Sequence, residues 1–240
     1  MSRMQKILVL LLLCSSYCGA SGKTLEIKQL NEHLYQHISF KEVSGFGLVS
    51  SNGLVVSDGA DAYLVDTPWS ESDMQILYKW IKHKGLTLKG AVSTHWHEDR
   101  TAGLAFLNRQ SVPTYVFERT NQLLAQHQKT QATHSVKGDS FWLVQNKIQL
   151  YFAGGGHTED NAVVWLADDK VLFGGCLVRA AETGNLGYTG EAVMQQWPES
   201  IKQLQHQFPK AKQVIPGHGD VGDQFLLLHT LHMATDKQKN

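Results

Sequence analysis

The residues best suited to chemistry lie in one short segment, His95-x-His97-x-Asp99, which follows an apolar run at residues 91–94. In an extended chain, side chains two residues apart point to the same side. His95 and His97 are therefore predicted to reach one metal ion, and Asp99 to reach a neighbouring ion. Imidazole and carboxylate groups are suitable ligands for zinc. A His-x-His pair alone occurs often by chance, so the prediction depends on further ligands.

Three further candidates each stand beside glycine, which lets the backbone turn tightly next to a ligand. They are His157, Cys176 and His218. With the first segment they make two sets of three ligands, and three protein ligands with one open position are typical of catalytic zinc. An isolated Cys176 would more often be a small core residue. The remaining histidines lack such a context and are interpreted as surface or helix residues: His33, His37, His83, His127, His134, His206, His229 and His232.

Strands and helices are predicted to alternate along the chain, so that helices cover both outer faces of a β core. Apolar patterning predicts a helix over residues 71–84, capped by Ser70 or Ser72 and ended by Gly85. The other predicted helices cover residues 101–107 and 118–129, a segment starting at Pro198, and residues 223–235. Strands are predicted at residues 25–30, 33–40, 46–57, 63–66, 91–94, 114–117, 141–144, 148–152, 162–166, 171–173 and 214–215. The short turns Gln145-Asn146 and Asp168-Asp169 each lie between two of these strands and predict hairpins.

Composition indicates a single globular domain with balanced charge. The 240 residues include 22 basic and 22 acidic side chains, and 42% are hydrophobic. Nothing there favours a nucleic-acid groove or an anionic membrane surface as partner. No repeat or linker divides the chain after residue 22.

The first twenty residues have the layout of a secretory signal peptide. Arg3 and Lys6 precede an apolar run at residues 7–13, and smaller residues follow up to Ala20. The run is too short to span a bilayer as a helix. We predict cleavage after Ala20, a periplasmic domain over residues 21–240, and no stable membrane anchor.

A buried N-terminal helix and a lipoprotein anchor on Cys14 or Cys18 are the alternatives, and bulky Leu13 and Tyr17 argue against the anchor. Cleavage would leave Cys176 as the single cysteine, which excludes a disulfide within one mature chain.

These ligands and their flanking residues resemble the metallo-β-lactamase superfamily. The match is to class B enzymes whose second zinc is held by Asp, Cys and His, nearest to the IMP-type members, and it extends from about residue 25 to residue 232. It also includes four flanking motifs: Val65-Asp-Thr-Pro-Trp69, Gly156-His-Thr-Glu-Asp-Asn161, Gly174-Gly-Cys176 and Gly184-Asn-Leu-Gly187.

The resemblance implies a four-layer αβ/βα sandwich and hydrolysis of the β-lactam amide of penicillins, cephalosporins and carbapenems. It implies two zinc ions per chain and attack by a zinc-bound water without an acyl-enzyme. It also implies that Asn185 helps to stabilise the oxyanion. The implied ligands are His95, His97 and His157 for the first zinc, and Asp99, Cys176 and His218 for the second.

Two more residues are assigned by the same resemblance, and two are assigned from their positions in the sequence. Arg179 stands where a lysine usually binds the substrate carboxylate, and Arg keeps that charge; a solvated surface arginine is the alternative. Phe46 lies in the segment matching the family's mobile flap, residues 43–47, and is interpreted as a cover over substrate or else as a core aromatic. Asp66 ends a predicted strand and is expected to hydrogen-bond a metal ligand. Arg100 is expected beneath the metals, where it would balance Asp99 and Cys176; an ordinary buried ion pair is the alternative for either residue.

Two other functions remain open at this stage. One is another hydrolase on the same scaffold, such as a thioesterase or lactonase, against which Arg100 and Cys176 argue. The other is a non-catalytic periplasmic zinc-binding protein. We expect a monomer with a small-molecule β-lactam substrate and no nucleic-acid partner.

Overall fold

The computed structural model describes residues 23–239, which form two β-sheets packed face to face. The predicted signal peptide, residues 1–20, lies outside the described residues. In the described part of the chain, no helix is both long and apolar enough to cross a membrane.

The first sheet follows chain order, and its pairing changes from antiparallel to parallel at β4. Because β4 to β7 are parallel, their carboxyl ends meet at one edge of the sheet. The strands are β1 (Glu26–Gln29), β2 (Leu34–Val43), β3 (Gly47–Asp58), β4 (Asp61–Val65), β5 (Thr87–Val92), β6 (Thr114–Phe117) and β7 (His134–Val136).

The second sheet has the order β12-β11-β10-β9-β8. Its strands pair antiparallel except for β11 and β12, which are parallel. The two predicted hairpins, around residues 145–146 and 168–169, are confirmed. The strands are β8 (Ser140–Val144), β9 (Ile148–Tyr151), β10 (Val163–Leu166), β11 (Val171–Gly175) and β12 (Gln213–Pro216).

The helices lie on the outer faces of the two sheets. Helix α1 begins after Ser70, whose side chain accepts a hydrogen bond from the Asp73 N–H at 3.0 Å, so Ser70 rather than Ser72 is the cap. Gly85, with φ of 75°, follows its end as predicted. The helices are α1 (Glu71–His83), α2 (Glu98–Thr101), α3 (Leu104–Arg109), α4 (Glu118–Gln126), α5 (Trp197–Gln207) and α6 (Phe225–Lys239).

Three buried apolar clusters separate four layers and confirm the predicted sandwich. Met74, Leu77 and Ile81 of α1 pack against the outer face of the first sheet. The central cluster joins the two sheets; it includes Leu54 from β3 and Phe173 from β11. On the far side α5 and α6 cover the second sheet. Apolar burial of this kind contributes about 25 cal/mol per Å² removed from water, and it holds the strand ends where the polar side chains gather.

The structure corrects three expectations from the sequence. The helix predicted over residues 101–107 is two short helices, α2 and α3, joined at Gly103, where a Cβ would lie 2.7 Å from the Met74 side chain. Strand β7 was not predicted, because it has three residues and a mostly exposed pattern.

The interpretation of His37 as a surface or helix residue is wrong. His37 lies on β2, is 1% exposed and places Nε2 3.1 Å from the carbonyl oxygen of Asp66. Its ring occupies the space above Gly53, its partner on β3. Burial lowers the pKa of His37 to about 4, so the imidazole is neutral at pH 7.

Candidate metal centre

The six predicted ligands gather along one edge of the sandwich. His95 and His97 follow β5, Cys176 follows β11 directly, and His218 stands two residues after β12. Gly175 ends β11 with φ of 52°, a conformation that glycine adopts without strain, and so turns the chain at Cys176. His157 lies in the loop after β9. The fold therefore brings together residues that are up to 123 positions apart in the sequence, from His95 to His218.

Three imidazoles form the first cluster. His97 Nδ1 lies 3.1 Å from His95 Nε2 and 3.2 Å from His157 Nε2. Tetrahedral ligands with zinc–nitrogen bonds of about 2.0–2.1 Å stand about 3.3 Å apart. His97 Nδ1 therefore has, to each of the other two nitrogens, the spacing that one zinc ion requires, and the ligand atoms of all three residues lie within 4.8 Å of one another.

Electrostatics keep two of these imidazoles in the neutral form that binds a metal. Burial, and then the neighbouring His97, lowers the pKa of His95 well below its ordinary value. The same two causes lower the pKa of His157 to about 3. A neutral imidazole offers its free lone pair to a metal cation, so His95 and His157 are prepared to bind one.

Asp99, Cys176 and His218 form the second cluster, beside the first. His218 Nε2 lies 3.2 Å from both Asp99 Oδ2 and Cys176 Sγ, and Sγ lies 3.4 Å from that oxygen. Candidate ligand atoms of His95, Asp99 and Cys176 also lie within 4.8 Å of one another, so the two clusters adjoin. Carboxylate, thiolate and imidazole together are a zinc donor set.

The second cluster contains an ionised acid and a thiol that resists ionisation without a metal. Burial raises the pKa of Asp99, but Arg100 and then His218 outweigh burial, so this pKa lies well below its ordinary value. Burial raises the pKa of the Cys176 thiol far above its usual range, against the opposing effect of Arg100. A bound metal cation would instead lower the pKa of the thiol, because a coordinated thiol is deprotonated.

Asp99 reaches its place by a different route from the one predicted. Strand β5 ends at Val92, residues 94–97 form a bend, and Asp99 stands in the first turn of α2, whose N-cap is His97. The segment is therefore not the continuous extended chain that was predicted, although His95 and His97 still meet in one cluster.

Arg100 lies beneath the second cluster and is wholly buried. Its guanidinium donates to Asp99 Oδ2 at 2.9 Å, to Asp66 Oδ2 at 3.2 Å and to Cys176 Sγ at 3.2 Å. It also donates to the carbonyl oxygens of Asn52 and Gly217, at 2.6 and 2.9 Å. Arg100 is thus the shared counter-ion of the acidic groups below the site.

Asp66 acts on the ligands indirectly. It is wholly buried, and its carboxylate accepts hydrogen bonds from the backbone N–H of Thr94 at 2.7 Å and from the Thr94 hydroxyl at 2.9 Å. These bonds fix the residue before His95 rather than a ligand imidazole itself. Burial raises the pKa of Asp66 to about 6, although Arg100 opposes the effect.

Several supporting residues were missed in the sequence. Asn52 donates from its side chain to the carbonyl oxygens of Pro216 and Gly219, on either side of His218. Buried Asp160 accepts a hydrogen bond from the Trp96 N–H at 3.0 Å, between the two histidines. Glu191 contacts His97. Asp160 belongs to the motif that carries His157 and could have been found there, whereas Asn52 and Glu191 have no local signal.

An open cleft of about 490 Å³ leads to both clusters. Arg179 lines it and is half-buried, so its side chain is not fully solvated. Phe46 lines it from the tip of the β2–β3 hairpin and is 55% exposed, so it is not a core aromatic. Asn185 is exposed outside the lining, and its Oδ1 accepts a hydrogen bond from the Gly187 N–H at 2.8 Å.

Comparison with known proteins decides the family. The model of the metallo-beta-lactamase superfamily matches residues 46–218. The chain belongs to this superfamily. A metallo-beta-lactamase type 2 of Pseudomonas aeruginosa is 44% identical over 234 residues, covering 96% of this chain and 94% of the relative.

Solved structures agree with the assignment. The structure of DIM-1 metallo-beta-lactamase exposed to ceftazidime is 49% identical, with a TM-score of 0.88 over 90% of this chain and 98% of that chain. The structure of TMB-1 is 47% identical, with a TM-score of 0.88, and the match covers 91% of this chain and all of that chain. The two adjoining candidate metal clusters thus lie at the edge of a metallo-β-lactamase fold.

Proposed function

We propose that this chain is a zinc-dependent β-lactamase that opens the amide of penicillins, cephalosporins and carbapenems and so confers resistance. The observation that carries the proposal is the pair of three-residue clusters at the floor of an open cleft, with a cationic side chain at its wall. The similarity to metallo-beta-lactamases supports the substrate class.

Two zinc ions per chain fit the donor atoms. His95, His97 and His157 would hold one ion, and Asp99, Cys176 and His218 the other. Bound zinc would supply a Lewis acid for the amide carbonyl and would lower the pKa of a water to near neutrality. The chain's own residues then have to bind and orient the substrate above the two clusters.

Arg179 is the residue we assign to the substrate carboxylate. Its guanidinium lies against Gly187, where a Cβ would come within 3.1 Å of Nη1, and its buried Nε has no hydrogen-bond partner among the described residues. An arginine fork binds a carboxylate through two parallel hydrogen bonds. The carboxylate beside the fused β-lactam ring matches that donor pair.

Asn185 and Phe46 are assigned to the reacting amide and to the substrate's apolar groups. Asn185 uses Oδ1 within its own loop, which leaves the Nδ2 amide as the donor for a developing oxyanion once the side chain turns toward the cleft. Phe46 would close over bound substrate from the hairpin tip, with Trp69 on the neighbouring wall.

A periplasmic location follows from the predicted signal peptide at residues 1–20, and we expect the mature chain, residues 21–240, to act as a monomer. Cys176 is the only cysteine that this cleavage would leave, and metal coordination would protect its thiolate in an oxidising compartment.

Hydrolysis rates on several substrate classes test the proposal. Purified zinc-loaded protein should open nitrocefin, a carbapenem and a penicillin far faster than it cleaves a thioester or a lactone. Turnover of the thioester or lactone with inert β-lactams would identify another hydrolase. Zinc binding without turnover of any of these compounds would identify a binding protein.

Steady-state kinetics of Arg179→Ala test the carboxylate site. Loss of a charge-assisted hydrogen bond costs about 1.5–3 kcal/mol, so KM should rise about tenfold or more while kcat changes less. Arg179→Lys should recover much of the loss, because it keeps the charge. If Arg179→Ala leaves KM and kcat/KM unchanged on both a carbapenem and a cephalosporin, another group binds the substrate carboxylate.

A further inference from the structure

One carboxylate contacts the first cluster from the side away from the three facing nitrogens. Glu191 Oε2 lies 2.6 Å from His97 Nε2. Glu191 belongs to the loop between Cys176 and α5, and 94 residues separate it from His97. The contact is therefore a product of the fold.

The contact determines which ring nitrogen of His97 carries the proton. In a hydrogen bond between an imidazole nitrogen and a carboxylate oxygen the oxygen accepts, so the geometry assigns the proton to Nε2. The lone pair is then on Nδ1, the atom that faces His95 and His157 at 3.1 and 3.2 Å. This is the tautomer in which Nδ1 is able to bind a metal ion.

His97 differs from the other two imidazoles in this support. The outward nitrogens of His95 and His157, both Nδ1, are buried and have no hydrogen-bond partner among the described residues. His97 is also the more exposed ring, at 18% of its side chain, so it is less restrained by packing. The hydrogen bond to Glu191 is a restraint on this ring that His95 and His157 do not have.

The loop that carries Glu191 is itself attached beside His157. Val193 N–H donates to the Gly156 carbonyl oxygen at 2.8 Å, and Gln196 Oε1 accepts from the Gly155 N–H at 3.0 Å. These bonds hold Glu191 at a fixed position relative to the first cluster. The loop thus contacts His97 directly, through Glu191, and is hydrogen-bonded to Gly156, the residue before His157.

We propose that Glu191 is a positioning residue that fixes the tautomer and ring orientation of His97 and thereby strengthens metal binding at the three-histidine cluster. The inference rests on the proposed zinc site and adds to it a residue outside the ligand set. Carboxylates that accept from a ligating imidazole typically change metal affinity by about 10–100-fold when they are removed.

Metal titration of the zinc-free protein tests the proposal without using activity. Cobalt(II) is the probe, because charge transfer from a thiolate reports the Cys176 cluster, whereas ligand-field bands report both clusters. Glu191→Ala should bind cobalt at the three-histidine cluster about 10–100-fold more weakly, with an unchanged charge-transfer titration. Glu191→Gln keeps an acceptor oxygen but loses the charge, and should lie between Glu191→Ala and the wild type.

Glu199→Gln is the matched control, since Glu199 is an exposed residue of α5 paired with Lys202. It should titrate as the wild type does. In the nitrogen NMR spectrum of the zinc-loaded wild type, His97 should show a protonated Nε2 whose exchange with water becomes faster in Glu191→Ala.

Three results would overturn the proposal. One is wild-type affinity at the three-histidine cluster in both Glu191 variants, and another is an equal loss at both clusters, which would indicate general loosening of the loop. The third is a zinc-loaded wild type whose His97 carries its proton on Nδ1. Failure of the wild type itself to bind metal would instead refute the proposed zinc site, so the two failures are distinguishable.

Discussion

Replacing Arg100 by methionine should destabilise the zinc-free protein severely. The side chain is wholly buried and is hydrogen-bonded to the carboxylates of Asp66 and Asp99. Methionine fills much of the volume but leaves both acids, and the carbonyl oxygens of Asn52 and Gly217, without their donor. Breaking a buried ion pair by removing one partner costs about 3–5 kcal/mol.

Urea unfolding followed by circular dichroism at neutral pH, with chelator present, measures this cost. At a urea m value of about 3 kcal/mol per M, the unfolding midpoint of Arg100→Met should fall by about 1–1.7 M. The same substitution at Arg109, which pairs with Glu71 on the surface, is the control. An exposed pair contributes about 0–1 kcal/mol. If the two variants lose stability by the same amount within about 1 kcal/mol, Arg100 is not the counter-ion that the structure indicates.

Three other perturbations test separate parts of the account. Cys176→Ser should weaken metal binding at the second cluster far more than at the first in a metal titration, and two unchanged sites would make Cys176 a simple core residue. Asp160→Asn removes a carboxylate whose pKa burial raises to about 6 from the ordinary 3.8. Because the folded state holds that proton more tightly, wild-type stability relative to Asp160→Asn should fall as pH rises from about 4 through about 6. The total change should be roughly 3 kcal/mol, at about 1.4 kcal/mol per pH unit, and a pH-independent difference between the two zinc-free proteins in urea would contradict it. Gly53→Ala should cost about 1–3 kcal/mol or more in unfolding free energy, because its Cβ would overlap the His37 ring and lie 2.7 Å from the Val65 carbonyl oxygen. Gly184→Ala, with open space around the added Cβ, is the control, and equal stability of the two variants would refute the packing argument.

Most of the architecture was predictable because local signals agreed with the fold. The capping serine and the apolar spacing of Met74, Leu77 and Ile81 define α1, and the two hairpins in the second half coincide with β8–β9 and β10–β11. The gathering of the six candidate ligands was predictable for a similar reason, since each has a short motif around it. Caps, apolar spacing and short motifs can be recognised in a single sequence because they depend only on neighbouring residues.

The expectations that failed, and the residues that were missed, depend on contacts between distant parts of the chain. His37 is on a strand predicted from the sequence, but its burial depends on Gly53 opposite it, and pairing register is not visible in the sequence. Glu191 and Asn52 resemble ordinary polar residues until the fold places one against His97 and the other beside His218. Support for a site comes from residues that tertiary structure selects, whereas its ligands follow recognisable local patterns.

Hydrolysis of nitrocefin by one protein sample, first treated with excess chelator and then resupplied with zinc, tests whether the two clusters hold the catalytic metal. The chelator should abolish hydrolysis, and zinc should restore it as metal analysis approaches two ions per chain. Full activity in protein shown by metal analysis to be zinc-free would refute zinc-dependent hydrolysis by this chain.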